Sequence, residues 1–552
     1  MRRLPEGGRQ FSGPRFNLTD FFWADKPAGL TTHTSLNDTD KRKTWLDQHD
    51  GFMEWLSARI GGPLLPVHRL DRETTGVILF ARTREAAEQA RTLFAGRDVH
   101  KVYLFITDRE RSGSPSRDVK SRGADSFSGQ SFIERVGNDY VSHVERTANS
   151  LTRFERVRSE GRFTLWKAFP ETGKPHQIRL HAQDAGIPLL GDELHGGTAY
   201  PALCLHAQSL TIANETKASA PPIYFDDLRL LSDRRLVRWL AACDRRERAQ
   251  KNFESTPSET IRWIHSEGDP LRVEQLGDVV SMNWFRETYP TDDEWSSIRR
   301  LCELKNWKTW YLQIRADRGK DPLTDDNLTS EAPPPDRWIA HENGLKFEFR
   351  RETGLSPGLF LDQRQNRASV LKESHGKRVL NLFCYTGGFS VAAAAGGAEQ
   401  VVSVDVSKPF LDWAKANFEL NQLDVAAHEF RAIDSGEYLT WAQKKGLKFD
   451  LIICDPPSFA RTNTRGKSAV FRIEIEFDDL FKRCLNAASE KGRILFSTNF
   501  EQWSLDDFAS KAMHVLKASK LSHARIQATP SNDLDFELPH KPRHMKSLLI
   551  QL

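Results

Sequence analysis

At 552 residues the chain is long enough for about three domains, and its formal net charge of +4 permits RNA binding without demanding it. No stretch approaches the ~20 apolar residues of a membrane span, and Met1-Arg2-Arg3-Leu4-Pro5 lacks the apolar core of a signal peptide, so no membrane is expected. Cys204, Cys243, Cys302, Cys384, Cys454 and Cys484 are scattered without a CxxC, which argues against a disulfide framework or a bound metal and for the reducing cytoplasm.

Residues 1–17, rich in Arg, Gly and Pro, read as a mobile basic arm. Phe21-Phe22-Trp23 starts a strand into the Lys26-Pro27 turn, and Trp45 to Ile60 reads as a helix broken by Gly61-Gly62-Pro63. Next comes Val67-His68-Arg69-Leu70-Asp71-Arg72-Glu73-Thr74-Thr75-Gly76, a carboxylate between two arginines in a polar turn that runs into a buried strand to Ala81. Two guanidinium neighbours would hold Asp71 ionised and oriented, and such a carboxylate can act as a nucleophile or a base. In isolation an Arg-x-Asp-Arg reads more simply as a structural salt bridge at a strand start. Glu85 to Ala95 has helical spacing and Val102 to Ile106 is a strand. Residues 108–150, rich in Ser, Arg and Gly, predict a long polar insertion, either disordered or an RNA-facing flap. Phe163 to Phe169 alternates as a strand, His176 to Ala185 reads as a helix, Leu203 to Ile212 as a strand and Leu228 to Arg246 as a helix. The first domain is therefore expected over 18–245.

Residues 246–335 are expected to hold a small α+β module and a linker. Ile261–His265, Leu271–Gln275 and Val279–Trp284 look like short strands, Asp292–Leu304 like a helix and Trp307–Ile314 like another strand. From 336 to 552, strands and helices alternate: Lys377–Phe383, the Ala-rich helix to Ala395, Gln400–Asp405, Lys408–Leu420, His428–Ala432, Phe449–Cys454, Glu474–Ala488 and Arg493–Ser497. That alternation predicts an α/β Rossmann-like domain with a parallel sheet covered on both faces. Ligands bind such sheets at the carboxyl ends of the strands. There the turn Tyr385-Thr386-Gly387-Gly388 lets a ligand approach the backbone, and Asp405 can take a ribose diol through two hydrogen bonds. The turn lacks a full G-x-G-x-x-G, which weighs against a dinucleotide and, with the Asp455-Pro456-Pro457 tip, for S-adenosylmethionine.

Several segments carry a resemblance. His68-Arg69-Leu70-Asp71-Arg72 with Thr74-Thr75-Gly76 resembles the signature of the RluA-type pseudouridine synthases. Asp25-Lys26-Pro27-Ala28-Gly29-Leu30, Lys101-Val102-Tyr103, Thr172-Gly173-Lys174-Pro175-His176-Gln177-Ile178-Arg179-Leu180-His181, Gly191-Asp192 and Leu203–Ala207 fit the same family in the same order. The resemblance implies an α+β domain with a mixed antiparallel sheet that isomerises uridine to pseudouridine without a cofactor. It implies Asp71 as the catalytic carboxylate, Arg179 as its orienting partner and Tyr103 as the stacking aromatic. Arg69 would fill the gap left by a flipped nucleotide, with Arg72 also on the RNA. His176 and His206 are expected to be structural, and His195 stands where the family often has an aromatic.

The later half is similar to the large-subunit rRNA methyltransferases of the RlmK and RlmI type, through Gly354–Arg364, Asn381–Ser390 and Asp455-Pro456-Pro457-Ser458-Phe459. That resemblance implies a pocket for S-adenosylmethionine or the target base at Asp362, Arg364, Asp405, Asp434 and Asp455, with Asp434 facing the adenine amine and Asp455 catalytic. Carbon-5 of a pyrimidine normally requires a cysteine nucleophile, and the tip Phe496-Ser497-Thr498-Asn499-Phe500 has none. Cys454 reads as core. Guanine N7 has its own lone pair and needs only positioning. The tip and the segment Asp535–His540 resemble the guanine-N7 branch. The chain thus reads as a bifunctional RNA modifier acting on large-subunit rRNA or an assembly intermediate of it. The alternatives are one inactive half that only docks RNA, methylation of cytosine C5, a tRNA target, or a methyltransferase for another substrate fused to an RNA domain. An exocyclic amine as the methyl acceptor also stays open.

Overall fold

The computed structural model describes residues 18–34, 51–96, 98–110, 120–121, 125–253, 259–265, 267, 270–315, 328–351, 356–464, 467–529, 536 and 545–552. The basic arm at 1–17, the start of the helix expected from Trp45, and most of Asp535–His540 lie outside the described residues. The chain falls into two compact units, whose described residues end at Asn252 in the first and begin at Phe253 in the second.

The first unit is built on one mixed sheet. Its strands are β1 (Phe21–Lys26), β2 (Leu65–Pro66), β3 (Thr75–Ala81), β4 (Val99–Thr107), β5 (Lys120–Ser121), β6 (Ser126–Val136), β7 (Asp139–His143), β8 (Ser150–Glu160), β9 (Phe163–Pro170), β10 (Leu205–Ile212) and β11 (Glu215–Ala218). The order is β1-β3-β10-β4-β9-β8-β6-β5, and β3 with β10 is a parallel pair among antiparallel ones. The apolar run of β3 is buried along its whole length. Gly76 makes the β3–β10 contact possible: its φ is +115°, and a Cβ there would sit 2.2 Å from the Ala207 carbonyl oxygen. Helices α1 (Phe52–Ile60), α2 (Arg84–Gly96), α3 (Gln177–Asp184) and α4 (Arg234–Lys251) pack around this sheet.

Within residues 108–150, β6 and β7 are ordered strands of that sheet, so the expectation of a disordered insertion fails from 125 onward. Residues alternate inward along β6 as Phe127, Gly129, Ser131 and Ile133. Phe127 stacks on Phe154 at 4.7 Å and meets Trp166 edge-on, and Gly129 lies under the His181 ring of α3. Small polar inward residues conceal the alternation from a hydrophobicity reading. Helix α4 also continues past 245. Arg248 near its end pairs with Asp244 (2.7 Å) and with Asp25 of β1 (2.6 Å), which fastens the last turns to the first sheet.

The second unit opens with β12 (Thr260–His265), β13 (Leu271–Leu276), β14 (Val279–Trp284), α5 (Asp292–Leu304) and β15 (Thr309–Ile314), in the expected β-β-β-α-β order. A capping box starts α5, with Thr291 and Glu294 exchanging side-chain and backbone bonds. A hairpin of β16 (Arg337–Glu342) and β17 (Leu345–Arg350) follows; its Asn343-Gly344 turn has both φ angles positive, the signature of a tight two-residue hairpin.

Beyond it come α6 (Arg364–Glu373), β18 (Arg378–Leu382), α7 (Gly388–Ala395), β19 (Gln400–Asp405), α8 (Lys408–Leu420), β20 (Glu429–Ala432), α9 (Ser435–Lys444) and β21 (Phe449–Cys454). The chain continues through β22 (Phe459–Thr464), β23 (Lys467–Arg472), α10 (Ile473–Ala487), β24 (Ala488–Thr498), α11 (Leu505–Ala518), β25 (Arg525–Ala528) and β26 (Lys546–Gln551). The sheet order is β20-β19-β18-β21-β24-β26-β25. The first five strands are parallel, as the alternation predicts, and β26 runs antiparallel between β24 and β25. Among the described residues no helix is long and apolar enough to cross a membrane.

Candidate active sites

In the first unit a cavity of about 480 Å³ is lined by Arg69, Asp71, Lys101, Tyr103, His176 and Arg179, among others. The turn that presents Asp71 is held through its backbone. Lys26, fully buried, donates to the carbonyls of Pro27 (3.0 Å), Arg72 (2.8 Å) and Thr74 (3.0 Å). Thr32 Oγ1 donates to the Leu70 carbonyl (2.9 Å) and accepts from the Leu70 amide (3.0 Å). Burial brings the Lys26 ammonium down to about 7, against the pull of Glu73 and Asp71.

Asp71 is not held by its sequence neighbours. Arg72 Nε donates to the Gly29 carbonyl (2.9 Å) and Arg69 is exposed at the cavity wall. The ion pair of Asp71 among the described residues is instead with Arg179 Nη1 (3.4 Å), and the His176 ring stands 3.9 Å away at Nε2. Arg179 in turn gives Nε and Nη2 to the buried Asp192 (2.7 and 2.6 Å). Burial would lower the guanidinium, and the bonds to Asp192 and Asp71 raise it overall, so it stays charged. Tyr103 of β4 faces the same cavity; burial and then the Asp71 charge push its phenol up, so it stays protonated. His176 sits at φ +55° at the head of α3, with Nδ1 3.0 Å from Nε2 of His195. Burial lowers both rings, His195 to about 4, so both are neutral at pH 7. His206 is structural, as expected: it bonds Thr75 Oγ1 (2.9 Å) and donates to the Ser219 carbonyl (3.0 Å).

In the second unit a cavity of about 1000 Å³ opens at the carboxyl ends of β18, β19 and β21. Asp362, Tyr385, Asp405, Asp434 and Asp455 all line it. Asp405 accepts the Tyr385 amide on Oδ2 and the Ser407 amide on Oδ1, each at 2.9 Å, and burial raises its carboxyl. Asp434 Oδ1 caps α9 by accepting from Gly436 (2.8 Å) and Glu437 (3.1 Å). Burial and then the charge of Asp362 push Asp455 up to about 7, with a bond from Gln363 opposing. The lining acids, including Glu437, Glu476 and Asp479, outnumber Lys444 and Arg483, so the cavity favours a cationic ligand.

Three expected residues do not line this cavity. Arg364 is buried beside Glu342 (3.7 Å) and donates to the Thr260 carbonyl, so its charge serves packing between the small module and the larger sheet. Thr386 is buried, donating to the Gly358 carbonyl while its own carbonyl accepts from Asn417 (2.9 Å). Gly387 heads α7 at φ +78°, where a Cβ would meet Ala414 at 2.7 Å. These two residues shape the turn that carries Tyr385. Cys454 lies in the core beside Cys484 with its thiol pushed well up by burial, and none of the described residues lining the cavity is a cysteine.

Residues 20–184 match the model of the family described as RNA pseudouridylate synthase, and residues 270–483 match that of the S-adenosylmethionine-dependent methyltransferase family. The chain joins a pseudouridine synthase domain to a methyltransferase domain. YwbD of Bacillus subtilis (strain 168), provisionally named a ribosomal RNA large subunit methyltransferase, is 35% identical over 263 residues, 47% of this chain and 65% of its own. Ribosomal RNA large subunit methyltransferase K of Neisseria meningitidis serogroup B is 41% identical over 187 residues, 34% of this chain and 52% of its own. The chain thus spans less than two thirds of either relative. The solved structure of human RNA Pseudouridylate Synthase Domain Containing 4 is 25% identical, with 37% of this chain and 87% of that one covered, at a TM-score of 0.27.

Within the synthase domain, sequence reasoning placed Asp71, Tyr103 and Arg179 on one cavity and assigned no role there to four residues around them. Asp192 carried a signal, an acid after Gly191 in a recognisable motif. His176, its partner His195 and Lys26 carried only their positions in or beside the family motifs. The methyltransferase domain's cavity suits S-adenosylmethionine on its own chemistry: an acidic wall for a sulfonium, Asp405 for a diol, and Phe360, Tyr385 and Phe410 for an adenine.

Proposed function

We propose that the chain is a bifunctional RNA-modifying enzyme of the cytoplasm. The synthase domain isomerises a uridine to pseudouridine, and the methyltransferase domain methylates guanine N7 in large-subunit rRNA or an assembling particle. The observation that carries the reading is the meeting of Asp71, Tyr103 and Arg179 on one cavity, from three distant stretches of chain.

In the first reaction Asp71 either bonds to C1′ as the C1′–N1 bond breaks, or takes a ribose proton as the uracil anion leaves; the uracil turns, and C5 bonds to C1′ as the Asp71 ester breaks or the ribose proton is returned. The C5 proton is then lost and N1 takes one up, which frees the carboxylate. Arg179 neutralises the carboxylate without covering it, because its contact with Asp71 is long. Tyr103 offers a protonated aromatic face to the base. Arg69 at the exposed rim is the candidate to fill the vacated stack. In the second domain Asp405 would hold the ribose diol, Tyr385 and Phe410 would flank the adenine, and Asp434 and Asp455 would accept from amino groups. S-adenosylmethionine bound there supplies an electrophilic methyl group. Guanine N7 as the acceptor is supported by the lack of a lining cysteine among the described residues and by Asn499, bonded to Ser458, at the β24 tip.

The test is nucleoside mass spectrometry with site mapping on rRNA from a strain lacking the gene. Loss of one 7-methylguanosine and at least one pseudouridine from large-subunit rRNA is expected. Loss of 5-methylcytidine, or rRNA that is unchanged, overturns the substrate assignment.

A further inference from the structure

The small module of the second unit carries a groove of about 1540 Å³ that neither reaction uses. Trp295 and Trp310 stand half-buried along it, their rings 6.5 Å apart and inclined by 37°, and Trp307 forms part of its floor. The indoles are placed by rigid elements. Trp295 and Arg299 lie one turn apart on α5, with the guanidinium 5.8 Å over the Trp295 ring. Trp310 lies on β15, where its amide donates to Ser330 Oγ and its carbonyl accepts from the Ser330 amide, each at 3.0 Å.

The charges on the groove favour an anion. Glu303 is paired with Arg300 (2.9 Å) and Asp336 with Arg351 (3.0 Å). That leaves the exposed Arg299 and Lys308 facing the groove against Glu331. Half-buried indoles that open onto a groove beside cations are the pattern of a single-strand stacking platform: every base has a π-face, and the cations track the phosphates.

We propose that this groove binds single-stranded RNA, with bases stacked on Trp295 and Trp310 and phosphates held by Arg299 and Lys308. The proposal rests on the RNA-modifying reading and adds a binding site outside both catalytic cavities. The RNA bound there is unpaired and is read by stacking, so the site tolerates any base.

The test uses the full chain and a fluorescent uridine dodecamer, followed by anisotropy across a salt series. Trp295→Ala and Trp310→Ala are each expected to weaken binding about tenfold, and Trp310→Phe to restore most of it. Arg299→Ala should flatten the slope of log affinity against log salt by about 0.7, one single-strand phosphate. Photo-cross-linking with 5-iodouridine in the same oligonucleotide should label Trp295 or Trp310. Thermal melting confirms that each variant is folded. Wild-type binding that the alanine variants leave unchanged, with cross-links elsewhere, overturns the groove alone. An equal loss for a double-stranded RNA overturns stacking as its mode. A wild-type chain that binds no RNA and modifies none removes the RNA-modifying reading itself.

Discussion

Arg179 is bound to Asp192 more closely than to Asp71. Two of its nitrogens reach Asp192 at 2.6 and 2.7 Å, and the third reaches Asp71 at 3.4 Å. A guanidinium that closed bidentately on Asp71 would tie up both carboxylate oxygens and reduce their basicity. Asp192 diverts it. Asp192→Asn should therefore lower the synthase kcat by about 10²-fold, the cost of a misplaced group near the chemistry, with a smaller change in KM. It should also destabilise the domain by about 1.5–3 kcal/mol, since Arg179 loses its closest charged acceptor and keeps only the longer contact with Asp71. Steady-state kinetics and denaturant melts of the variant check both.

Asp71→Asn keeps the volume of the side chain and removes its nucleophile. Pseudouridine formation should be abolished and methylation retained, because the two cavities share no residue. Mass spectrometry of RNA treated with the purified variant and S-adenosylmethionine reads both products. Loss of methylation as well would contradict independent sites.

The Lys26 ammonium serves three carbonyls of the catalytic turn. Lys26→Met should take this donor from the Pro27 and Thr74 carbonyls, while the Arg72 carbonyl keeps the Gly29 amide (3.0 Å), at about 1–3 kcal/mol for each that water does not reach. The expected outcome is a lower melting temperature together with a loss of pseudouridine formation. An unchanged melting temperature would mean that the turn holds its shape without this residue.

Burial and the nearby Asp362 charge raise Asp455 from 3.8 to about 7. The folded state then holds a proton that the unfolded state releases between those values. Stability falls as pH rises through that window, and the full penalty is present above about 7. Asp455→Asn should melt above wild type at pH 8, with the difference shrinking as pH falls toward 4. Thermal melts of the apoprotein across that range decide it.

Much of both sites was legible because motifs pack their chemistry into short stretches. Asp71 sits in the turn before β3, Tyr103 on β4, Asp405 at the end of β19 and Asp455 just past β21, each facing a cavity. What local sequence could not give was the partner of a charge. Arg69 and Arg72 flank Asp71 in the chain, yet successive residues of an extended turn point apart, so the carboxylate found Arg179 and His176 instead. Arg364 failed for the same reason, since Glu342 and Thr260 reach it from a hairpin and a strand distant in sequence. The β6 strand was hidden by its composition, with Gly129 and Ser131 taking inward positions where apolar residues are the usual signal. The β16–β17 hairpin, by contrast, was announced by Asn343-Gly344 and went unread.

Strand β26 is made after β25 but sits between it and β24. On the ribosome β25 therefore emerges before the strand it pairs with, and β24 presents an open edge until residues 546–551 follow. Met545, just ahead of that strand, lines the methyltransferase cavity, and Ser547 bonds Ser497 of β24 and Asn366 of α6. The nascent methyltransferase half is thus exposed to edge pairing with other chains until synthesis passes β26, whereas the synthase half, with every strand before residue 252, can close its sheet much earlier.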